Sequence, residues 1–233
     1  MLLPGQEAST GVEAGRHEYR YGVPAGTSVD VLSDEPEVLE FGIAEDPAFS
    51  EAGVVSVIEY HGVYPLSVEE LRSAITAYEE YTVISRRVVE SEGRPAPGEP
   101  PYEPVGAVVE RQAALMRTSF KFLFFGRDYD YVLSSMTEEL PGDAILVRSA
   151  MTESLDGGLS AIHYSWYLEP LGNGAAGGGG SGNRGNAATY LRYFARVDFA
   201  EEPNGLRLAL ELFARSDVER LLESVYRYAR TGR

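Results

Sequence analysis

Apolar positions recur with two different periods along this chain, and the switches between periods mark out its elements. Residues 54–64 are dense in β-branched and aromatic side chains and predict a strand that Pro65 ends. Ser67-Val68-Glu69-Glu70 has the form of a capping box, in which the serine hydroxyl accepts from the Glu70 N–H and the Glu70 carboxylate reaches back. Val68, Leu71, Ile75 and Tyr78 follow at helical spacing. A short strand is expected around residues 86–90, and five prolines within residues 93–104 require a loop.

From Ala107 the period falls to two and stays there. Residues 107–125 predict a long strand, Gly126-Arg127-Asp128 a turn, and residues 129–136 the return. Leu140-Pro141-Gly142-Asp143 and Asp156-Gly157-Gly158 predict two further turns, with a strand over 144–151 between them. Over residues 161–168, Ile162, Tyr164, Trp166 and Leu168 share one face, and His163, Ser165 and Tyr167 the other. Residues 172–185 hold 8 of the 25 glycines but no lysine, which suits a flexible hairpin loop and not a phosphate-binding loop. In residues 189–199, Leu191, Tyr193, Ala195, Val197 and Phe199 oppose Arg192, Arg196 and Asp198. Pro203-Asn204-Gly205 reads as a turn, and Leu206, Leu208, Leu210 and Leu212 as one face of a last strand. Ser216-Asp217-Val218-Glu219 forms a second capping box, before a helix with Val218, Leu221, Leu222, Val225 and Ala229 on one side.

Charge divides the chain in two. The 233 residues carry a net charge of −16, yet residues 1–51 alone hold 11 acidic and 2 basic side chains. Pro4, Pro24, Pro36 and Pro47 interrupt this front and exclude a long helix; short strands are expected over 17–23 and 27–32. The division is drawn at residues 1–52, an acidic N-terminal extension laid partly over the domain, and 53–233, the domain itself. The acidic balance offers no basic footprint for nucleic acid. No apolar run approaches the ~18 residues of a membrane span, so stable membrane insertion is not expected. A soluble protein is expected, either cytoplasmic or exported after loss of an N-terminal signal. The absence of cysteine removes disulfides, thiolate metal sites and cysteine nucleophiles.

Catalytic constellations are lacking. His17, His61 and His163 share no metal-ligand spacing, so neither a metal nor another cofactor is expected. His163 reads as a surface or half-buried strand residue, and Asp128 and Asp130 as parts of a solvated turn. Arg111, Arg117 and Arg148 fall in strands and are expected to face outward, since an inward arginine needs a partner. Tyr164, Trp166 and Tyr193 share faces with aliphatic residues and fit either a core or a cavity wall with a few oriented polar groups.

The succession of strand, capped helix, consecutive antiparallel strands and amphipathic C-terminal helix predicts an α+β helix-grip fold, a curved antiparallel sheet wrapped around a long C-terminal helix. Over roughly residues 53–230 this order resembles the START and polyketide-cyclase-like superfamily. Tyr78-Glu79-Glu80-Tyr81 followed by Val88-Val89-Glu90-Ser91 is similar to its helix–tyrosine–strand passage. Gly126-Arg127-Asp128-Tyr129 is similar to its Arg-Asp-aromatic strand start, and Tyr167-Leu168-Glu169-Pro170-Leu171-Gly172 to its closing section. Two positions depart from the pattern: the only tryptophan is Trp166, and Leu133 stands where some members carry a basic anchor. The resemblance implies a monomer that binds an apolar small molecule (a lipid, an isoprenoid or a sterol-like compound) in an internal cavity, and leaves open whether it is an enzyme. Ligand contacts are expected from Tyr164, Trp166, Tyr193, Val218, Leu221, Leu222 and Val225, with entry near the C-terminal helix and the 140–143 turn. A polyketide aromatase or cyclase, and a partner-binding or chaperone-regulating domain with a filled core, are the alternatives.

Overall fold

A computed structural model describes residues 19–45, 54–96, 102–122, 125–172, 187–201 and 205–232. Eight strands form one antiparallel sheet: β1 (Glu37–Glu45), β2 (Val54–Tyr64), β3 (Val88–Arg94), β4 (Ala107–Phe122), β5 (Phe125–Leu140), β6 (Ala144–Ser154), β7 (Leu159–Leu171) and β8 (Ala188–Phe199). Their spatial order is β1-β2-β8-β7-β6-β5-β4-β3, so β2 closes onto the last strand and the rest is a meander. Register shifts interrupt the β1–β2, β3–β4, β4–β5, β5–β6 and β7–β8 ladders. Such bulges bend a strand and raise its twist, which lets strands of up to 16 residues curl around a helix.

Among the described residues three α-helices accompany the sheet: α1 (Val68–Ile75), α2 (Tyr81–Ile84) and α3 (Leu206–Thr231). Ser67 caps α1 as expected: its hydroxyl accepts from the Glu70 N–H at 3.2 Å, and the Ser67 N–H donates to the Glu70 carboxylate at 2.8 Å. The bonds from Ser67 hold the Glu70 carboxyl below the usual range. α3 packs on α1 and, more lightly, on α2, β1 and β2. The Tyr60 hydroxyl donates to the Arg215 carbonyl at 3.2 Å and anchors α3 to β2. This is the expected α+β helix-grip fold.

Several expected elements differ. Leu206 to Leu212 do not form a strand; they are the first turns of α3, which runs through Ser216 without a break. Leu206 and Leu210 are buried, whereas Leu208 and Leu212 are exposed, so two helical i,i+4 pairs on different faces mimic strand alternation. The helix starts instead at Gly205, whose φ of +85° only glycine adopts freely. The Ser216 hydroxyl bonds back to the Phe213 carbonyl and caps nothing. Gly126-Arg127-Asp128 is not a turn either: these residues pair in β5 with 119–121 of β4, and Phe122 pairs with Phe125. The 140–143 turn is present, with positive φ at Gly142 and Asp143, and a turn over 155–158 has Gly157 at φ +69°. The expected glycine-rich loop over 172–185 lies, beyond Gly172, outside the described residues, as do 17–18 of the expected 17–23 strand. The rest of that stretch is irregular, and 27–32 contains a single 3-10 turn, Val29–Val31.

The front segment crosses the convex face of the sheet. Ser165 Oγ donates to the Arg20 carbonyl at 3.0 Å, and Arg192 donates to the carbonyls of Tyr21 and Gly22 at 3.2 and 2.8 Å. Arg192 and Arg20 both pair with Glu59, which is 1% exposed. Beside them Arg148 donates to Glu138 at 2.7 Å, and Glu138 also accepts from the N–H groups of Val105 and Gly106 at 2.6 and 2.9 Å. Glu59, Glu138, Arg148 and Arg192 are buried and Arg20 is half-buried, and each is paired and hydrogen-bonded, as low-dielectric surroundings require. Arg148 faces outward as expected, but at 4% exposure it is buried beneath the rings of Tyr19 and Tyr102. Arg117 also faces outward and is exposed, bound to Asp130 at 2.6 Å and Glu90 at 2.8 Å.

A candidate ligand cavity under the C-terminal helix

Period-two alternation sends one set of side chains from every long strand to the concave face. On β5 this set includes Tyr129, Tyr131 and Leu133; on β7 Ile162, Tyr164 and Trp166; on β8 Tyr193, Ala195, Val197 and Phe199. Facing them, the N-terminal half of α3 presents Leu206, Leu210, Ala214, Val218 and Leu221. Tyr78 and Tyr81 close the flank from the segment between α1 and β3. The two surfaces belong to one core but do not fill the space between them. Between them is a cavity of about 460 Å³, far larger than a packing defect.

The polar groups in this wall differ in their partners. Tyr78 Oη lies 2.5 Å from Ser135 Oγ and 3.2 Å from Ser149 Oγ, and Tyr81 donates to the Ile75 carbonyl at 2.7 Å, so these hydroxyls are satisfied within the protein. Tyr193 and Trp166, 3% and 4% exposed, also line the cavity. Burial pushes the phenols up, Tyr164 to about 12 and Tyr81, Tyr131 and Tyr193 well above their usual range. All four are therefore protonated donors at neutral pH. Charge is confined to Arg87, Arg127 and Asp217. Asp217 accepts from Arg87 Nε at 2.9 Å and from Arg86 at 2.6 Å, while Arg127 reaches Glu201 at 3.3 Å.

Five of the seven residues named from the sequence, Tyr164, Trp166, Tyr193, Val218 and Leu221, line this cavity. Leu222 and Val225 do not: they are 2% and 1% exposed and buried in the surrounding core. The 140–143 turn does not reach the cavity; Leu140 packs with Leu146, Tyr167 and Tyr190 in a separate cluster. His163 is fully buried on the convex face, edge-on to Tyr19, because the front segment covers a surface that the sequence left open. Asp128 and Asp130 lie in β5 and not in a turn. Tyr78, Tyr81, Tyr129 and Tyr131 were missed as wall residues. The shared parity of Tyr129, Tyr131 and Leu133 was the available signal, hidden by placing a turn just before Tyr129. Among the described residues no three histidine, aspartate or glutamate side chains gather to hold a metal ion. None of their helices is long and apolar enough to cross a membrane.

No protein-family model and no curated protein sequence matches the chain. Its fold does match solved structures. A STAR-related lipid transfer protein from Xanthomonas axonopodis (fragment 25–204) superposes with a TM-score of 0.53 at 15% identity, covering 82% of this chain and 99% of that one. Human StAR-related lipid transfer protein 5 superposes with a TM-score of 0.51 at 13% identity, covering 82% and 87%. The chain thus has the fold of START-like domains.

Proposed function

We propose that this protein binds an apolar small molecule between the sheet and α3 and carries or sequesters it. The observation that supports this is the cavity itself, held open where a fold of this size would ordinarily close its core. Water there would find few partners, since the wall is dominated by aliphatic and aromatic side chains. A ligand that gave up about 300 Å² of apolar surface would gain ~7.5 kcal/mol at ~25 cal/mol per Å², before the costs of ordering it. The ligand class favoured is a lipid, an isoprenoid or a sterol-like compound, in keeping with the two lipid transfer proteins that share the fold.

A cyclase-type enzyme would use such a cavity too, but the wall offers it little. The described lining has no imidazole, its phenols are held protonated, and its one carboxylate, Asp217, is engaged by Arg86 and Arg87. A partner-binding domain with a filled core is disfavoured by the cavity. Native mass spectrometry of the protein purified from its own host tests the reading. The expected result is a co-purifying mass of a few hundred daltons that organic solvent removes. A bare chain that also binds nothing from a broad panel of apolar fluorescent probes would overturn it.

A further inference from the structure

Outside the cavity, α3 and the turn before β3 bound a groove lined by Arg86, Arg87, Leu212, Phe213, Ser216 and Arg220. Three guanidinium groups here gather around one carboxylate. Asp217 accepts from Arg86 at 2.6 Å and from Arg87 Nε at 2.9 Å, and Arg220 lies 3.9 Å away, beyond hydrogen-bond range. The next acidic side chains along α3 are engaged elsewhere: Glu219 accepts from the Tyr60 hydroxyl and Glu223 from Arg227. Three positive charges against one negative leave an excess of two, in a chain whose net charge is −16. Arg87 is half-buried and committed to Asp217 and to the Phe120 ring, 5.6 Å below its guanidinium. Arg86 and Arg220 are exposed, so an anion in the groove meets them directly. Beside them Leu212 and Phe213 are exposed as well, which makes the groove part basic and part apolar.

Charge and shape together narrow the occupant. A phosphate monoester carries close to two negative charges at neutral pH, matching the excess, and its oxygens suit guanidinium forks. A carboxylate or a sulfate ester carries one. A nucleic acid or an anionic bilayer would also face the rest of this acidic chain and be repelled. A small molecule seated in the groove lies close to the arginines and is screened from charges beyond ~8 Å.

We propose that this groove binds a small phosphate monoester with an apolar substituent, Arg86 and Arg220 holding the phosphate and Leu212 and Phe213 the substituent. The site shares Arg87 and Phe213 with the cavity but lies outside it, and it does not depend on what the cavity holds. Isothermal titration calorimetry of the full chain with phenyl phosphate, phenyl sulfate and inorganic phosphate tests it. Phenyl sulfate keeps the ring with one charge fewer, and inorganic phosphate keeps the charge without the ring. Phenyl phosphate should bind about 5-fold or more tightly than either. Arg86→Gln and Arg220→Gln should each weaken it by about 5-fold, whereas Arg227→Gln, which removes the same charge further along α3, should not. Leu212→Ser should bring phenyl phosphate down towards inorganic phosphate. Phenyl sulfate or inorganic phosphate binding as well as phenyl phosphate would overturn the inference, as would an affinity that survives both arginine substitutions. So would a chain that cosediments with vesicles of phosphatidylcholine and phosphatidate yet binds no phenyl phosphate, which would make the patch a membrane contact. The order of the three ligands on the wild type decides the matter even if a variant fails to fold. Failure of all three to bind would overturn the inference and leave the cavity reading standing.

Discussion

At the scale of single residues, two serines with the same local sequence signature have opposite roles. Ser67 caps α1, so Ser67→Ala should cost ~1 kcal/mol. Ser216 sits inside α3, so Ser216→Ala should be neutral or stabilise by a few tenths of a kcal/mol, alanine being the better helix former. Urea midpoints of the two variants check both. The buried pair on the convex face is more demanding. Arg148→Met leaves Glu138, which is fully buried, with only two backbone donors and should cost ~3–5 kcal/mol. The double variant Glu138→Leu/Arg148→Met should recover much of that loss in the same denaturation experiment. His61, within hydrogen-bond distance of the Tyr190 hydroxyl, gives a pH signature. Burial holds its imidazole below the ordinary value of 6.5. Below that value the unfolded chain binds the proton first, so the stability from neutral His61 is complete above ~6.5 and is lost as pH falls towards the folded value. Between pH 7.5 and 5.5 the wild type should lose more stability than His61→Gln. Equal losses would show that His61 takes no part.

At the scale of elements, the strands were more legible than the last helix. Long strands that bury one face against a core and cover the other alternate strictly, so the faces of β7 and β8 were assigned correctly residue by residue. α3 was legible only in its second half. Its first half lines a cavity and therefore buries a narrow stripe, Leu206, Leu210 and Ala214, while Leu208 and Leu212 lie exposed. That breaks the broad apolar face by which a helix is usually recognised. The same division predicts unequal responses along α3. Leu222 is enclosed by core, so Leu222→Ala should fall in the upper part of the ~2–5 kcal/mol range for such deletions. Leu221→Ala removes atoms that already border open space, so its cost should lie at or below the lower end. Calorimetric Tm values rank the two. A larger loss for Leu221 would mean that this turn of α3 packs as solid core.

At the scale of the whole molecule, what the sequence withheld was the content of the space between sheet and helix. Alternation places a side chain on the concave face but is blind to whether anything fills the gap opposite. Tyr164, Trp166 and Tyr193 fitted core and cavity wall equally well for that reason. Ala195 separates the two cases. It is 4% exposed, pairs with Tyr164 across β7 and β8, and lines the cavity. In a close-packed core, three added carbon atoms force side chains off their rotamers and cost ~1–3 kcal/mol. In the cavity the same atoms enter empty space, gain contacts with the wall and lose nothing in the apo state. Ala195→Leu should therefore unfold at or above the wild-type midpoint in urea. It should also bind an apolar fluorescent probe at least several-fold more weakly, because it occupies part of the ligand's volume. A variant destabilised by more than ~1 kcal/mol would indicate a filled interior. One with unchanged stability and unchanged affinity would place the ligand elsewhere.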